Sequence, residues 1–246
     1  MDSGQTLPLG RVHSFDQRAT PELAYIIGAM SGDASLNARL GNHQYRIRLK
    51  AKDKQFVEEF DRRVSTVLSS RVHKLWKTKD SEFYVEIGSY LLYSFLRRSL
   101  QELKPFIEHC ESCTSAFIRG FFDSAGCVDK VWGRISGSNS DLSLLGYTQL
   151  LPGKFLGIKA RGPYLVTRRG SILTRRGKSY VRKADCYSIY VACSDAMEFW
   201  YKIGLAIERK RLRLEHAMGL GEDASVGAGG GTCTRHDFAS RAGSGI

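Results

Sequence analysis

The sequence contains no apolar run approaching the roughly 18–20 residues needed to cross a bilayer, and its N-terminus carries no apolar signal-peptide core. These absences point away from a membrane and toward an intracellular protein of the cytoplasm or nucleoid. Cysteine is too sparse and too scattered for a disulfide framework: the six are Cys110, Cys113, Cys127, Cys186, Cys193 and Cys233. Such spacing suits reduced thiols. His109-Cys110-x-x-Cys113 is the one metal-like cluster, and the second ligand pair of a structural zinc site is missing. Acidic residues are also in short supply, with 25 Asp and Glu against 37 Lys and Arg, a net charge of +12. An excess of that sign calls for a polyanionic partner, and with the membrane set aside that partner is nucleic acid. What is present is otherwise ordinary. A hydrophobic content of 42% and a charged content of 25% suit a globular chain, either one large domain or two small ones.

Both ends differ from the middle. Residues 1–20 are polar and irregular and read as an N-terminal arm. Residues 219–246 carry eight glycines and few large apolar groups, too little to offset the entropy of ordering, so a disordered tail is expected there. Between these ends the chain repeats itself. Thr20 and Pro21 suit an N-cap and a first helical turn. They open the segment Pro21-Glu22-Leu23-Ala24-Tyr25-Ile26-Ile27-Gly28-Ala29-Met30-Ser31-Gly32-Asp33. The strict alternation of Gln44-Tyr45-Arg46-Ile47-Arg48-Leu49-Lys50 predicts a strand, and apolar spacing predicts a helix from Asp53 to Ser69. Strands over Val72–Lys77 and Glu82–Ile87 and a helix from Tyr90 to Leu100 complete the first unit. A second begins at Ser115 and reaches Gly126. It continues with strand text from Cys127 to Ile135, a helix from Asp141 to Phe155, strands over Ile158–Thr167 and Tyr180–Cys193, and a helix from Asp195. The order reads helix, strand, strand, helix, strand, strand, helix, twice. That is an α/β (α+β) chain of two pseudo-symmetric halves, 21–110 and 111–218, the single-chain counterpart of a two-fold dimer.

The two opening helices share a device. Gly28 and Gly32 lie four apart in the first, Gly120 and Ser124 four apart in the second. A helical glycine costs about 0.5–1 kcal/mol relative to alanine and so needs a reason. Small residues at this spacing let two helix backbones approach closely. Packed side by side, the helices would bring their C-terminal ends together. Acids placed there would repel unless a divalent cation neutralised them, which is the arrangement of metal-assisted phosphodiester hydrolysis.

Ile26-Ile27-Gly28-Ala29-Met30-Ser31-Gly32-Asp33-Ala34 and Ile118-Arg119-Gly120-Phe121-Phe122-Asp123-Ser124-Ala125-Gly126 resemble the paired motifs of LAGLIDADG homing endonucleases, most closely the monomeric, intron-encoded archaeal type. The motifs are 92 residues apart, and the resemblance spans about residues 21–215. It implies two αββαββα halves whose antiparallel sheets form a saddle on double-stranded DNA, with the motif helices packed at the centre. It also implies a monomer that cuts both strands at an intron-insertion site, leaving short 3′ overhangs. The implied metal is Mg2+, with Ca2+ or Mn2+ able to stand in its place, beside Asp33, Ala34 and Ser124. Asp33 is the first implied catalytic acid. At the matching second position the family has Asp or Glu, and this chain has Ala125. A methyl group cannot ligate a cation, and Asp123, two residues earlier, points about 200° away on a helix. The chain is therefore either a decayed nuclease or a substituted one, expected to bind and at most to nick. Lys52 occupies a place where the family often has an active-site lysine, and a phosphate contact would explain it equally well. The matching second-half place reads Ser136-Gly137-Ser138, without a cation.

A strand that reads a groove needs one apolar face and one face of long polar side chains. Arg46, Arg48 and Lys50 fit, extended by Lys74 and Lys77. In the second half nine cations fall between residues 159 and 183: Lys159, Arg161, Arg168, Arg169, Arg175, Arg176, Lys178, Arg182 and Lys183, expected on a long glycine-punctuated hairpin. Arg209, Lys210, Arg211 and Arg213 either meet phosphate or solvate the last helix. A non-cleaving protein of the same fold, such as an RNA maturase or a DNA-binding regulator, is the competing reading, since loss of an acid is what it predicts.

Overall fold

The computed structural model describes residues 14–220 apart from 33, 40–43, 130, 176 and 177, and it gives no side-chain burial for 175 and 178. The N-terminal arm is thus described from residue 14 only, and the glycine-rich tail beyond 220 lies outside the described residues.

Helix α1 (Pro21–Met30) begins as the sequence predicts: Thr20 Oγ1 accepts from the Leu23 amide at 3.2 Å, with Pro21 in the first turn. Its partner is α5 (Glu111–Ala125), which starts four residues before the expected Ser115. The pair packs backbone against backbone. A Cβ on Gly28 would run into the Phe117 carbonyl, and one on Gly120 into the Tyr25 carbonyl. The glycines are therefore required by contact, and the reciprocal pairing is what two-fold packing produces.

Each helix is followed by a four-stranded antiparallel sheet. The first contains β1 (Ala34–Arg39), β2 (Gln44–Ala51), β3 (Trp76–Lys77) and β4 (Phe83–Gly88) in the order β1-β2-β4-β3, with α2 (Lys54–Val67) between β2 and β3. The second contains β5 (Gly126–Val128), β6 (Ile135–Asn139), β7 (Ala160–Thr167) and β10 (Cys186–Val191) in the order β5-β6-β10-β7, with α6 (Leu142–Leu151) following β6. These orders match element for element. Ile47 and Leu49 on β2, Val85 and Ile87 on β4, and Ile189 and Val191 on β10 all point into one continuous core. The helices α3 (Tyr90–Leu96), α4 (Leu100–Ile107), α7 (Ala196–Lys202) and α8 (Glu208–Ala217) close the two halves.

Several expected elements change shape for visible reasons. The strand expected over Val72–Lys77 shrinks to Trp76–Lys77, because the buried Asp61 carboxylate holds the preceding segment. It accepts from the His73 amide at 2.7 Å and contacts the His73 ring at 2.7 Å. The helix expected from Tyr90 to Leu100 breaks into α3 and α4 at Ser99, which forms a capping box with Glu102. The strand text from Cys127 to Ile135 is a hairpin, its turn held by Asp129 Oδ1 accepting from the Val131 and Trp132 amides at 3.0 and 2.8 Å. The strand expected over Tyr180–Cys193 is shorter. A separate two-stranded hairpin, β8 (Ile172–Arg175) and β9 (Lys178–Val181), stands between β7 and β10. The α6 prediction holds, the helix continuing as one wide turn through Pro152–Leu156. Among the described cysteines four are free, whereas Cys193 is disulfide-bonded, against the expectation of wholly reduced thiols.

If close backbone contact is what the glycines serve, Gly28→Ala should destabilise by about 2 kcal/mol or more despite the better helix propensity of alanine. Gly146→Ala in α6, where an added Cβ meets nothing within 4 Å, should instead stabilise by about 0.5–1 kcal/mol. Urea unfolding of both variants measures the contrast, and a stabilised Gly28→Ala would refute the packing argument.

Candidate nucleic-acid interface

The close helix pair brings two C-terminal ends to one point. A Cβ on Gly32 would lie 2.6 Å from Ser124 Oγ and 3.3 Å from the Ala125 amide, so the motif ends touch. Asp33 itself lies outside the described residues. Ala34, the next residue, opens β1, and Gly126, its counterpart, opens β5. Ala125 is half-buried at this seam, and Ser124 Oγ donates to the Phe121 carbonyl at 3.0 Å. A further cross-half bond closes the place: Asn139 Nδ2, at the end of β6, donates to the Ser31 carbonyl at 2.7 Å.

Asp123 is committed elsewhere. It is 1% exposed and accepts from the Tyr25 hydroxyl of α1 at 3.0 Å and from the Ala206 amide at 3.1 and 3.2 Å. Burial pushes its carboxyl up to about 6, against the lowering pull of Lys210, Tyr25 and the Ala206 amide. Burial of the Tyr25 hydroxyl, and then the Asp123 carboxylate beside it, push that hydroxyl well above its ordinary range. Lys210, 5% exposed, donates to the Phe122 and Asp123 carbonyls at 2.8 and 2.6 Å, where its charge opposes the negative end of the α5 dipole. Sequence reasoning assigned Lys210 to phosphate or solvent. Its position in a strongly cationic helix hid a capping role that depends on tertiary contact.

These residues do not make a two-acid metal site. Ala125 offers no ligand, the Asp123 carboxylate is buried among protein donors, and the seam holds no other carboxylate among the described residues. The one cluster of three metal-type ligands among them, His109, Cys110 and Cys113, lies at the opposite end of α5.

The outer face of the first sheet carries the expected cations. Arg46 and Arg48 are half-buried and Lys50 is exposed, alternating with the buried Ile47 and Leu49. Acids on the same face engage two of them: Arg46 pairs with Glu86 at 2.6 Å and Lys50 with Glu82 at 2.5 Å. Arg48 lies over the Tyr84 ring at 4.3 Å, and its buried Nε has no hydrogen-bond partner. Lys74 and Lys77 stand over Trp76 and Phe83 at 4.2 and 5.6 Å. Lys52 is exposed immediately beyond β2. The strand registers, Ala34 facing Leu49 and Gly126 facing Gly137, make its second-half counterpart Ser140, two residues past the stretch read from sequence.

In the second half Arg161 on β7 is exposed, as are Arg168, Arg169 and Lys183 in the segments that flank the β8–β9 hairpin; Arg182 is half-buried. Arg176 lies outside the described residues, and Arg175 and Lys178 are placed by backbone alone, at facing positions of that hairpin. The outer face of this sheet is otherwise built differently, from Ser136, Ser138, Ser188 and the stacked rings of Tyr164 and Tyr190, 5.8 Å apart. Arg209 pairs with Asp53 at 2.9 Å, and the Glu208 amide donates to Gln55 Oε1 at 3.0 Å, tying the start of α8 to that of α2 across the halves.

Comparison with known proteins accords with this arrangement. No family model matches the chain. The uncharacterized protein MJ0398 of Methanocaldococcus jannaschii is 31% identical over 211 residues, 85% of this chain and 75% of that one. The chain belongs to the family of MJ0398. A second protein of that organism, the uncharacterized MJ0314, is 30% identical over 133 residues, 51% of this chain and 49% of its own length. Among solved structures, the homing endonuclease I-DmoI in complex with DNA and Mn is similar with a TM-score of 0.55 and 19% identity, covering 76% of this chain and 98% of that one. I-DmoI has also been solved with DNA and Ca at 19% identity and a TM-score of 0.54. Full-length DUF199/WhiA from Thermatoga maritima is similar with a TM-score of 0.52 and 16% identity, covering 84% of this chain and 62% of that one. The fold of this family member is thus the LAGLIDADG fold of I-DmoI, as the paired motifs imply.

The raised Asp123 carboxyl sets a pH dependence. A folded-state value near 6 above an ordinary 3.8 means the folded state holds the extra proton, so this contribution is complete below about pH 4 and is lost as pH rises through about 6. Relative to Asp123→Asn, the wild type should therefore lose on the order of 2–3 kcal/mol between about pH 4 and pH 7. Urea midpoints of the two proteins across that range test this, and a constant difference would contradict it.

Proposed function

We propose that this protein is a site-specific double-stranded DNA-binding protein built on the homing endonuclease plan, with cleavage suppressed by Ala125. The observation that carries the reading is the junction of the two motif helices, where Gly32 abuts Ser124 and Ala125. Sheets bearing Arg46, Arg48, Lys50 and Arg161 leave from that junction on both sides. Support also comes from the net charge of +12 and from the likeness to I-DmoI, a structure of which contains DNA. We place the duplex across the outer faces of both sheets, with the two halves of one monomer reading two half-sites and the scissile phosphates over the seam. The cation proposed for the active parent is magnesium, with calcium or manganese able to stand in. The described donor set of this chain does not make the paired-acid site, so no hydrolytic step is assigned to it.

Restoring the missing acid is the decisive experiment. Ala125→Glu should convert a binding protein into one that cuts both strands of its insertion-site duplex in magnesium, with short 3′ overhangs, while the parent chain binds and at most nicks. If Ala125→Glu binds the duplex but leaves both strands whole, the endonuclease lineage fails. The non-cleaving reading, favoured by the burial of Asp123 and the methyl of Ala125, then stands alone.

Binding itself has a separate signature. Many phosphate contacts make affinity fall steeply with salt, on the order of a thousandfold between about 50 and 200 mM. Arg48→Ala, which removes the one cation of Arg46, Arg48 and Lys50 on β2 that no carboxylate pairs, should weaken specific binding about tenfold or more. Fluorescence anisotropy on a specific and a scrambled duplex reads both effects. A flat salt response would rule out the saddle placement.

A further inference from the structure

The His109, Cys110 and Cys113 cluster, at the other end of α5 from the seam, is unexplained by DNA binding. Cys110 is the N-cap of α5 and is exposed, whereas Cys113, one turn further on, is 1% exposed. Their sulfurs lie 3.4 Å apart, in hydrogen-bond contact. The His109 ligand atom lies within 4.8 Å of both sulfurs. We propose that Cys110 and Cys113 form a reversible dithiol–disulfide couple, in which exposed Cys110 attacks and buried Cys113 resolves.

The asymmetry is the argument. Thiol exchange needs one sulfur that an external disulfide can reach and a second that meets only the first, and these exposures provide both. The sulfurs are already near enough that a bond requires a small closing movement within one helical turn. Electrostatics agrees with geometry. The His109 ring, with the Cys113 and Ser112 amides at the helix N-terminus, lowers the Cys110 thiol to about 7, and burial with the neighbouring Cys110 pushes Cys113 up to about 12. The nearby charges include Glu111 on the same turn and Glu22 on α1, which raises Cys113 further. A metal is the less suitable occupant. A third ligand from Cys113 would require an ion to reach a sulfur that is closed to solvent, and a fourth ligand is absent from the cluster among the described residues.

The reaction balances with a low-molecular-weight disulfide such as oxidised glutathione as oxidant. The Cys110 thiolate attacks one of its sulfurs, breaks the S–S bond and expels a thiolate, leaving a mixed disulfide. Cys113 then loses its proton, attacks Cys110 Sγ, forms the intramolecular bond and expels the second thiolate. Two protein thiols are oxidised, one external disulfide is reduced to two thiols, and two protons leave the protein.

Full-length protein equilibrated in glutathione redox buffers, then alkylated and digested, tests this by mass spectrometry. The expected result is a peptide holding Cys110 and Cys113 that is two hydrogens lighter and takes no alkyl group, restored by reductant, while Cys110→Ser shows neither change. In the reduced protein at pH 7, Cys110 should alkylate roughly threefold faster than free cysteine, the larger thiolate fraction outweighing its lower nucleophilicity. Cys113→Ser should stop at a glutathione adduct on Cys110. If this variant fails to fold, the exposed Cys110→Ser variant and the wild-type peptide decide alone. A stable glutathione adduct on wild-type Cys110, or stoichiometric zinc that shields both thiols from alkylation, would overturn the proposal.

Discussion

Everything distinctive about this molecule depends on two helices touching at their backbones. Gly28 and Gly120 each face a carbonyl of the other helix, leaving no volume for even a methyl group. Contact that close is favourable through many small dispersion terms, and it is stereochemically strict. It fixes the rotation of α1 against α5, and with it the relation between two sheets that otherwise have few reasons to adopt one arrangement. The buried Tyr25–Asp123 bond across the same interface adds a directional term. An unpaired carboxyl in that environment would be costly, so the bond specifies which register of the helices is satisfied.

The helix ends inherit their position from this packing. Because the glycines fix the pair midway along, Gly32 meets Ser124 and Ala125 at the seam. A carboxylate at position 125 would put a charge at this seam, repelled by any acid beside it in the absence of a cation. Alanine removes that repulsion along with the ligand. Alanine at this position is compatible with the fold, and the surrounding contacts at Ser124, Asn139 and Lys210 are complete.

The duplication was legible because it is written in local signals: an N-cap at Thr20, glycines at helical spacing, and alternation along β2. The sheet orders β1-β2-β4-β3 and β5-β6-β10-β7 then follow from applying one topology twice. Less legible were features settled by partners distant in sequence. Asp61 holding His73 out of β3 is twelve residues away, and nothing in the alternation of Val72–Lys77 announces it. Lys210 reads as one more cation in Arg209-Lys210-Arg211, yet its ammonium is spent on carbonyls 87 and 88 residues earlier. The break at Ser99 was available in the Ser99-x-x-Glu102 pattern, and the apolar periodicity on either side outweighed it.

The two sheet faces show where symmetry stops. The first presents guanidinium and ammonium groups tempered by Glu82 and Glu86, the second hydroxyls and stacked tyrosines with its cations gathered toward β7 and the appended hairpin. Carboxylates beside arginines lower the gain from any phosphate, and they also hold the side chains in defined directions. That favours geometric selection over bulk attraction on the first half. Flat rings and short hydroxyls on the second half permit closer approach with less charge. A symmetric polyanion would meet unequal surfaces, so a duplex seated across both is held in one orientation. One topology applied twice gives the frame, and the unlike exposed strand faces give it a polarity that the helix pair alone lacks.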